Sequence, residues 1–216
     1  NSSPIAIVDD LVMWVESSSD RSFEPSEASN GKTLTNWKDI SGNKKTLTAG
    51  TTKPTYDDDV TINQIPAVAF DGDSDGGFSF DCSSLNNSDY SIIITEQRGG
   101  NTSDNYFIRD SASNAANSNF LLGYKDDDTV IHSHSGTASA ENSDTYASSV
   151  PSYSKNKPKS FIFTSSSEGK KTYINGNLVA SSTNTDQPSG LTDCNIGKGY
   201  NGKIGEVAIV KRSLSN

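Results

Sequence analysis

No stretch of about 18 consecutive apolar residues occurs in this chain, so no part of it can cross a bilayer as a helix. Positive charge is scarce as well. Lys and Arg number 18 against 27 Asp and Glu, a formal net charge of −9. A chain this acidic lacks the phosphate-neutralising charge that nucleic acids and anionic membrane surfaces require. There are only 2 His, and the 2 cysteines, Cys82 and Cys194, belong to no CxxC or mixed Cys/His spacing, which argues against the usual zinc frameworks. Convincing amphipathic helices are missing too, as is any internal repeat of solenoid or propeller length.

What is present is a series of short apolar runs in a polar background. Apolar residues make up 31% of the 216, which is low for a compact domain, but Gly, Asn, Ser, Thr and Asp separate the runs instead of gathering into a polar tract. Many short strands joined by polar turns give that pattern, and a β-sandwich of this length is commonly one domain, so 1–216 is read as a single domain. Strands are expected at Ala67–Phe70, Phe78–Phe80, Tyr90–Thr95, Tyr106–Arg109, Phe120–Tyr124, Thr129–His132, Ser160–Thr164, Lys171–Asn175, Leu178–Ser181, Asn195–Gly197 and Ile204–Lys211, mostly rich in β-branched or aromatic residues and bounded by turn formers.

Two local expectations are sharper. Asn175-Gly176 supplies the pair of positive-φ residues of a type I′ turn, which predicts a hairpin over Thr172–Ala180. Ile204–Val210 reads as a buried closing strand beside Leu11–Val15, a pairing of the chain ends that would remove exposed edges. Ser17–Lys32, Ser111–Asn119 and Thr137–Lys157 are expected to be loops. The last, which carries Tyr146 and Tyr153, is long enough to be a candidate binding loop.

Taken in order, Leu11–Val15, Trp37–Asn43, Lys53–Tyr56, Pro66–Gly72, Tyr173–Gly176 and Ile204–Leu214 resemble the bacterial laminin-G-like, concanavalin A-like jelly rolls over nearly the whole chain. The resemblance implies an all-β fold, a two-sheet antiparallel jelly-roll sandwich. A narrower similarity lies in Asn1–Glu16, Ser22–Gly31 and Asn36–Ile40, which look like the head domains of prepilin-like proteins. In those proteins the head follows an N-terminal hydrophobic helix, so residues 1–10 are read as a linker from a removed anchor segment. Other pilin-like subunits would then be partners through that helix, and the location would be extracellular, on a bacterial surface and pilus-associated, or secreted. For Cys82 and Cys194, a disulfide across the sandwich and two separately buried thiols both fit, and the extracellular character favours the disulfide.

Several side chains are candidates for chemistry. Glycanases of this fold class place catalytic acids as Glu-x-Asp-x-x-Glu or Glu-x-Asp-x-Glu on one strand; neither spacing occurs, and Glu96 and Glu206 stand singly. A non-catalytic domain is therefore expected. His132 and His134 share one face of a strand; without a third ligand they read as a polar face or strand end, or, if that face is concave, as sugar-contacting groups together with Tyr124. Acidic clusters at Asp57–Asp59, Asp71–Asp75 and Asp126–Asp128 suit Ca²⁺, with Asp71, Asp73 and Asp75 the first choice of site and an ordinary solvated turn the competing reading. Trp14 and Trp37 are expected to be core anchors. The function anticipated is adhesion or recognition, of glycans or of host or surface polymers; the alternatives are an inert filament coat and a secreted carbohydrate-binding module or polysaccharide hydrolase.

Overall fold

The computed structural model describes residues 9–18, 20–62, 65–100, 105–110, 120–125, 129–134, 148–149 and 156–214, with 59–61 and 148–149 described by their backbone alone. These residues form sixteen strands: β1 (Leu11–Glu16), β2 (Asn36–Lys38), β3 (Thr46–Ala49), β4 (Thr55–Ile62), β5 (Ile65–Asp71), β6 (Phe78–Asp81), β7 (Tyr90–Arg98), β8 (Asn105–Asp110), β9 (Leu121–Tyr124), β10 (Thr129–Ser133), β11 (Ser148–Ser149), β12 (Pro158–Ser166), β13 (Gly169–Ile174), β14 (Asn177–Ser182), β15 (Asp193–Ile196) and β16 (Asn201–Val210). They pair, wholly antiparallel, into two eight-stranded sheets. The first runs β14-β13-β12-β7-β16-β5-β4, with β1 also on β16; the second runs β11-β10-β9-β8-β15-β6-β3-β2.

Each strand expected from sequence coincides with one of these elements, with Phe120, Asn175, Gly197 and Lys211 falling one residue outside. Of those not anticipated, β2 and β3 are only three and four residues long, and β4 is interrupted by Asp57, Asp58 and Asp59, so none shows a sustained apolar alternation. The loop expected over Thr137–Lys157 is interrupted by β11, which pairs with β10 at Thr129 and Val130. The hairpin at Asn175-Gly176 forms, with φ of 50° and 79° at its two turn residues and Ile174 opposite Asn177.

The closing strand β16 organises the first sheet. Along one side it pairs with β7; along the other it pairs first with β5, at Asn201–Ile204, and then with β1, at Glu206–Val210. The change of partner falls at a bulge around Gly205. Ser17 fills the gap between β1 and β5, its amide and hydroxyl both donating to the Gly205 carbonyl at 2.8 Å and its hydroxyl also reaching the Pro66 carbonyl. Asp10, placed in the linker by the sequence reading, is tied down as well, because its carbonyl accepts the Lys211 amide at 2.7 Å.

Alternation along β7 shows how the two faces differ. Tyr90, Ile92 and Ile94 turn inward and are fully buried, whereas Ile93 and Thr95 turn outward and are half-buried. The core between the sheets is a continuous run of aromatic contacts from Phe23 through Trp37, Phe78, Phe70, Tyr200, Phe107, Phe161, Phe163, His132 and Tyr90 to Phe120, with successive ring centroids 4.9 to 6.2 Å apart. Phe23 belongs to the segment expected to be a loop, yet it closes one end of this run. Gly197 has φ 78° and packs so closely on the Phe70 ring that a Cβ would collide with it.

Cys82 and Cys194 are disulfide-bonded, with Cα atoms 5.7 Å apart. The bond does not cross the sandwich. Cys194 lies on β15 and Cys82 immediately follows β6, its neighbour in the same sheet, where the Cys82 amide also donates to the Thr192 carbonyl at 3.0 Å.

Two measurements check these points. Replacing both cysteines by alanine removes a link between residues 112 apart, and urea unfolding should then show roughly 4 to 5 kcal/mol less stability by the chain-entropy model. Gly197→Ala adds a side chain at positive φ and overpacks Phe70, so it should lower stability by roughly 2 to 4 kcal/mol in the same assay.

Candidate functional site

The outer face of the first sheet is built in rows by the strand register. Leu178, Tyr173, Ile162, Ile93, Ala208 and Trp14 are successive cross-strand partners on β14, β13, β12, β7, β16 and β1. By strand alternation they share the face turned away from the inner residues, and six strands contribute to the row, although Tyr173 within it is buried, 7% exposed. Trp14 lies partly exposed at one end and Leu178, 54% exposed, at the other. Five strand spacings separate them, roughly 24 Å. Next to it runs a polar row: Ser160, Thr95, Glu206 and Glu16 are partners on β12, β7, β16 and β1. An apolar stripe beside a line of hydroxyls and carboxylates is the surface an amphipathic ligand needs.

At the end of the polar row the Gly205 bulge leaves a cavity of about 190 Å³ lined by Glu16, Ser18, Ile62, Ile65, Thr95 and Glu206. Ile65 is one of only two large apolar side chains that stand exposed among the described residues, the other being Leu178. Glu16 and Glu206 face each other across β1 and β16. Like charges so placed repel. Glu206 accepts a 2.9 Å hydrogen bond from the Trp14 indole N–H, and Glu16 a 3.4 Å bond from the Ser18 hydroxyl. Partial burial raises the Glu206 pKa, with the Glu16 charge adding to the rise and the Trp14 bond opposing it. Trp14 is thus a surface residue with a polar tether, contrary to the expectation of a core anchor; Trp37, fully buried, meets that expectation.

The residues singled out from sequence lie elsewhere. His132, on β10, and His134, one residue past its end, do lie on the same side, but that side is the inner one, and both are buried under the first sheet. The Tyr90 hydroxyl bridges them, 2.8 Å from His132 Nε2 and 2.7 Å from His134 Nδ1. Thr172 Oγ1 lies 3.4 Å from His132 Nδ1, and His134 Nε2 meets the Asp186 carbonyl. A carbonyl can only accept, so His134 Nε2 carries a proton and its Nδ1 accepts from Tyr90. Tyr90 in turn accepts from His132 Nε2–H, and Thr172 donates to His132 Nδ1. The chain is complete with both imidazoles neutral. Desolvation depresses both pKa values, that of His134 to about 3, and the nearby Lys170 lowers them further. A sugar cannot reach this network, so its role is internal.

Tyr124 is also interior, in a second polar cluster toward the opposite end of the sandwich. Its hydroxyl donates to Glu96 Oε1 at 2.9 Å, Tyr200 donates to Glu96 Oε2 at 2.5 Å, and Lys159 Nζ lies 3.9 Å from the same carboxylate. The Arg98 guanidinium sits 4.1 Å over the Tyr124 ring. Complete burial pushes Glu96 up to about 7 even though Lys159, Tyr200, Tyr124 and Arg98 all favour its ionised form.

Asp71, Asp73 and Asp75 line one turn but do not converge on a common point. Asp71 accepts the Asp73 amide at 3.0 Å and Asp73 the Asp75 amide at 2.7 Å, so two of the carboxylates fold the turn itself. Among the described residues no three His, Cys, Asp or Glu are grouped to hold a metal ion. Asp57 belongs to strand β4 and pairs with Lys203 at 2.6 Å. Tyr146, Tyr153 and Asp126–Asp128 lie outside the described residues. Sequence reasoning missed the outer face because its rows come from six strands far apart in the chain. The nearest signal was the outward alternation of Trp14 with Met13 and Val15.

A family model described as the concanavalin A-like lectin/glucanases superfamily matches residues 70–216. The chain belongs to that family. No curated protein matches it by sequence. Among solved structures, domain 4 of AbnA, an extracellular GH43 arabinanase from Geobacillus stearothermophilus in complex with arabinotriose, is similar with a TM-score of 0.68 and 16% identity over 95% of this chain and 94% of that one. A sialidase from Trypanosoma rangeli with 2,3-difluorosialic acid gives 0.62 and 13% identity, over 96% of this chain but 32% of the enzyme. Botulinum neurotoxin type C, whose cell entry is described as dependent on two ganglioside molecules, gives 0.64 and 14%, over 99% of this chain and 50% of that one. At these identities the likeness is one of fold, and the chain spans about a third of the sialidase and half of the toxin chain. The match over 70–216 does not include Asn1–Glu16, Ser22–Gly31 or Asn36–Ile40, and none of these similarities supports the expected prepilin-like head.

The two buried clusters predict opposing pH effects. Glu96, raised from 4.5 to about 7, favours the native state at low pH, and that contribution is lost as pH rises through about 7. His134, lowered from 6.5 to about 3, contributes stability above its ordinary pKa that is lost as pH falls toward 3. Between about 4.5 and 6.5 the two partly cancel. In Glu96→Gln the melting temperature should therefore climb more steeply with pH across that window than in the parent; parallel profiles would show that Glu96 is ionised throughout.

Proposed function

We propose that this member of the concanavalin A-like lectin/glucanases superfamily is a non-catalytic carbohydrate-binding domain that works outside the cell and holds its glycan against the outer face of the first sheet. The observation that carries the reading is the register-aligned pair of rows, apolar from Trp14 to Leu178 and polar from Glu16 to Ser160. A sugar ring offers C–H faces to the first and hydroxyls to the second. The family, and structural neighbours described with arabinotriose, a sialic acid analogue and gangliosides, support a glycan in general and no particular one. The disulfide supports an oxidising, extracellular setting. Display on a pilin-like filament is a finer form of this reading and rests only on the similarity of the N-terminal segments; this domain's peptides in sheared surface filaments would test it.

One observation favours a second reading. Glycoside hydrolysis needs two carboxyl groups about 5 to 9.5 Å apart, and Glu16 and Glu206 are direct cross-strand partners beside a cavity. Release of reducing ends, lost in Glu206→Gln, would identify a hydrolase.

Calorimetric titration with a panel of oligosaccharides tests the main reading. Saturable binding is expected, with Trp14→Ala weakening it about tenfold or more while the circular dichroism spectrum is retained. Equal affinity in Trp14→Ala would move the site off this face.

A further inference from the structure

We propose that the ligand of this face is an uncharged, unbranched glycan chain lying across the strands, and that Glu16 and Glu206 reject acidic sugars such as sialic and uronic acids; the proposal rests on the glycan-binding reading above. The shape of the rows sets the first half. The apolar row is roughly 24 Å long, an oligosaccharide's length, and it runs perpendicular to the strands. It dips beside Trp14, because the small Ala208 stands between Ile93 and Trp14. A linear chain can lie along such a row; a single ring would cover a small part of it. The cavity at the Gly205 bulge, about 190 Å³, has on the order of six liquid waters' volume, and it can accept one ring substituent directed off the chain.

Charge sets the second half. Along the polar row every side chain is a hydroxyl or a carboxylate: Ser160, Thr95, Glu206 and Glu16. Among the described residues no Lys or Arg forms an ion pair with either glutamate. Lys203, the nearest cation along β16, is paired with Asp57 at 2.6 Å. Across the apolar row, the flank formed by Lys171, Thr164, Ser91 and Val210 holds Lys171, three strands away from Glu206, and Arg212, whose carbonyl accepts from the Ser91 hydroxyl and whose guanidinium pairs with Asp10 at 3.5 Å. Hydroxyl groups of an uncharged sugar can donate to both carboxylates, turning an existing repulsion into charge-assisted hydrogen bonds. A sugar carboxylate in the same place would put a third negative charge beside two that already repel, in a partly desolvated site.

The test is calorimetry on the intact chain at pH 7 with two sets of probes: cellotetraose, xylotetraose and arabinotriose, and sialyllactose with tetragalacturonate. The expected result is that an uncharged probe binds about tenfold or more tightly than either acidic one, and that its tetrasaccharide binds more tightly than its disaccharide. In Glu16→Gln/Glu206→Gln the gap between the sets should close to about twofold. Salt gives a check that needs no variant, since screening should improve the acidic probes between low and high ionic strength while leaving the uncharged ones unchanged. Acidic probes bound as tightly as uncharged ones, or a gap insensitive to both the substitutions and salt, would overturn the selectivity and leave the glycan-binding reading standing. Failure of every glycan to bind would remove both.

Discussion

The backbone ladder of β16 is the constraint on which the rest of the first sheet depends. This strand carries β7 along one side and both β5 and β1 along the other, and the bulge at Gly205 lets two partners share one edge. Sliding β1 by one residue would send Trp14 and Glu16 into the core and bring Met13 and Val15 out. The fully buried positions of Met13 and Val15 make that slip costly. Burial on the inner face therefore fixes which residues appear on the outer one. The alignment of Trp14 with Ala208 and of Glu16 with Glu206 follows from a requirement of the core, and the outer face inherits its precision from it.

The interior holds two polar clusters, and their placement is ordered. Glu96 with its two tyrosines, Arg98 and Lys159 occupies one end; the Thr172, His132, Tyr90, His134 and Asp186 chain occupies the other, with Phe161 and Phe163 between. Buried ionisable groups of this kind add little net stability over an apolar core, but leaving any one unpartnered is expensive. They define which side chains meet across the two sheets, a specification that interchangeable aliphatic contacts would leave looser. Such groups are also the ones that motif reasoning selects as active-site candidates, since it sees their chemistry and not which way they face.

The fold was legible in the sequence to a large extent. Period-two alternation and turn residues located Tyr90–Thr95, Ile204–Lys211 and the Asn175-Gly176 hairpin, because those signals are local and belong to strands that bury one face. Strands such as Thr55–Ile62 escaped because three successive aspartates interrupt their alternation, and pairing with β5 and an ion pair to Lys203 hold them beside the buried Tyr56 and Ile62. The candidate site was far less legible. That His132 and His134 share a face follows from their spacing, but period-two reasoning gives no sign of which face is inner when apolar Val130 and Ile131 occupy both faces and Ser133 and Ser135 follow. Cys82 and Cys194 could be paired, but the sheet that holds them depends on the order of β6, β15 and β8, a long-range property. The rows on the outer face are long-range in the same sense, and composition leaves no trace of them.

The central claim is that the glycan lies on the outer face of the first sheet. Proton–nitrogen correlation spectra during titration with an uncharged tetrasaccharide test it most directly, because the chain has only 2 Trp indoles and the structure places one on that face and the other in the core. The account predicts that the Trp14 indole and the amides of Thr95, Glu206 and Ala208 shift together and saturate, while the Trp37 indole stays fixed. Shifts confined to residues outside the first sheet, with the Trp14 indole unmoved at saturation, would contradict it.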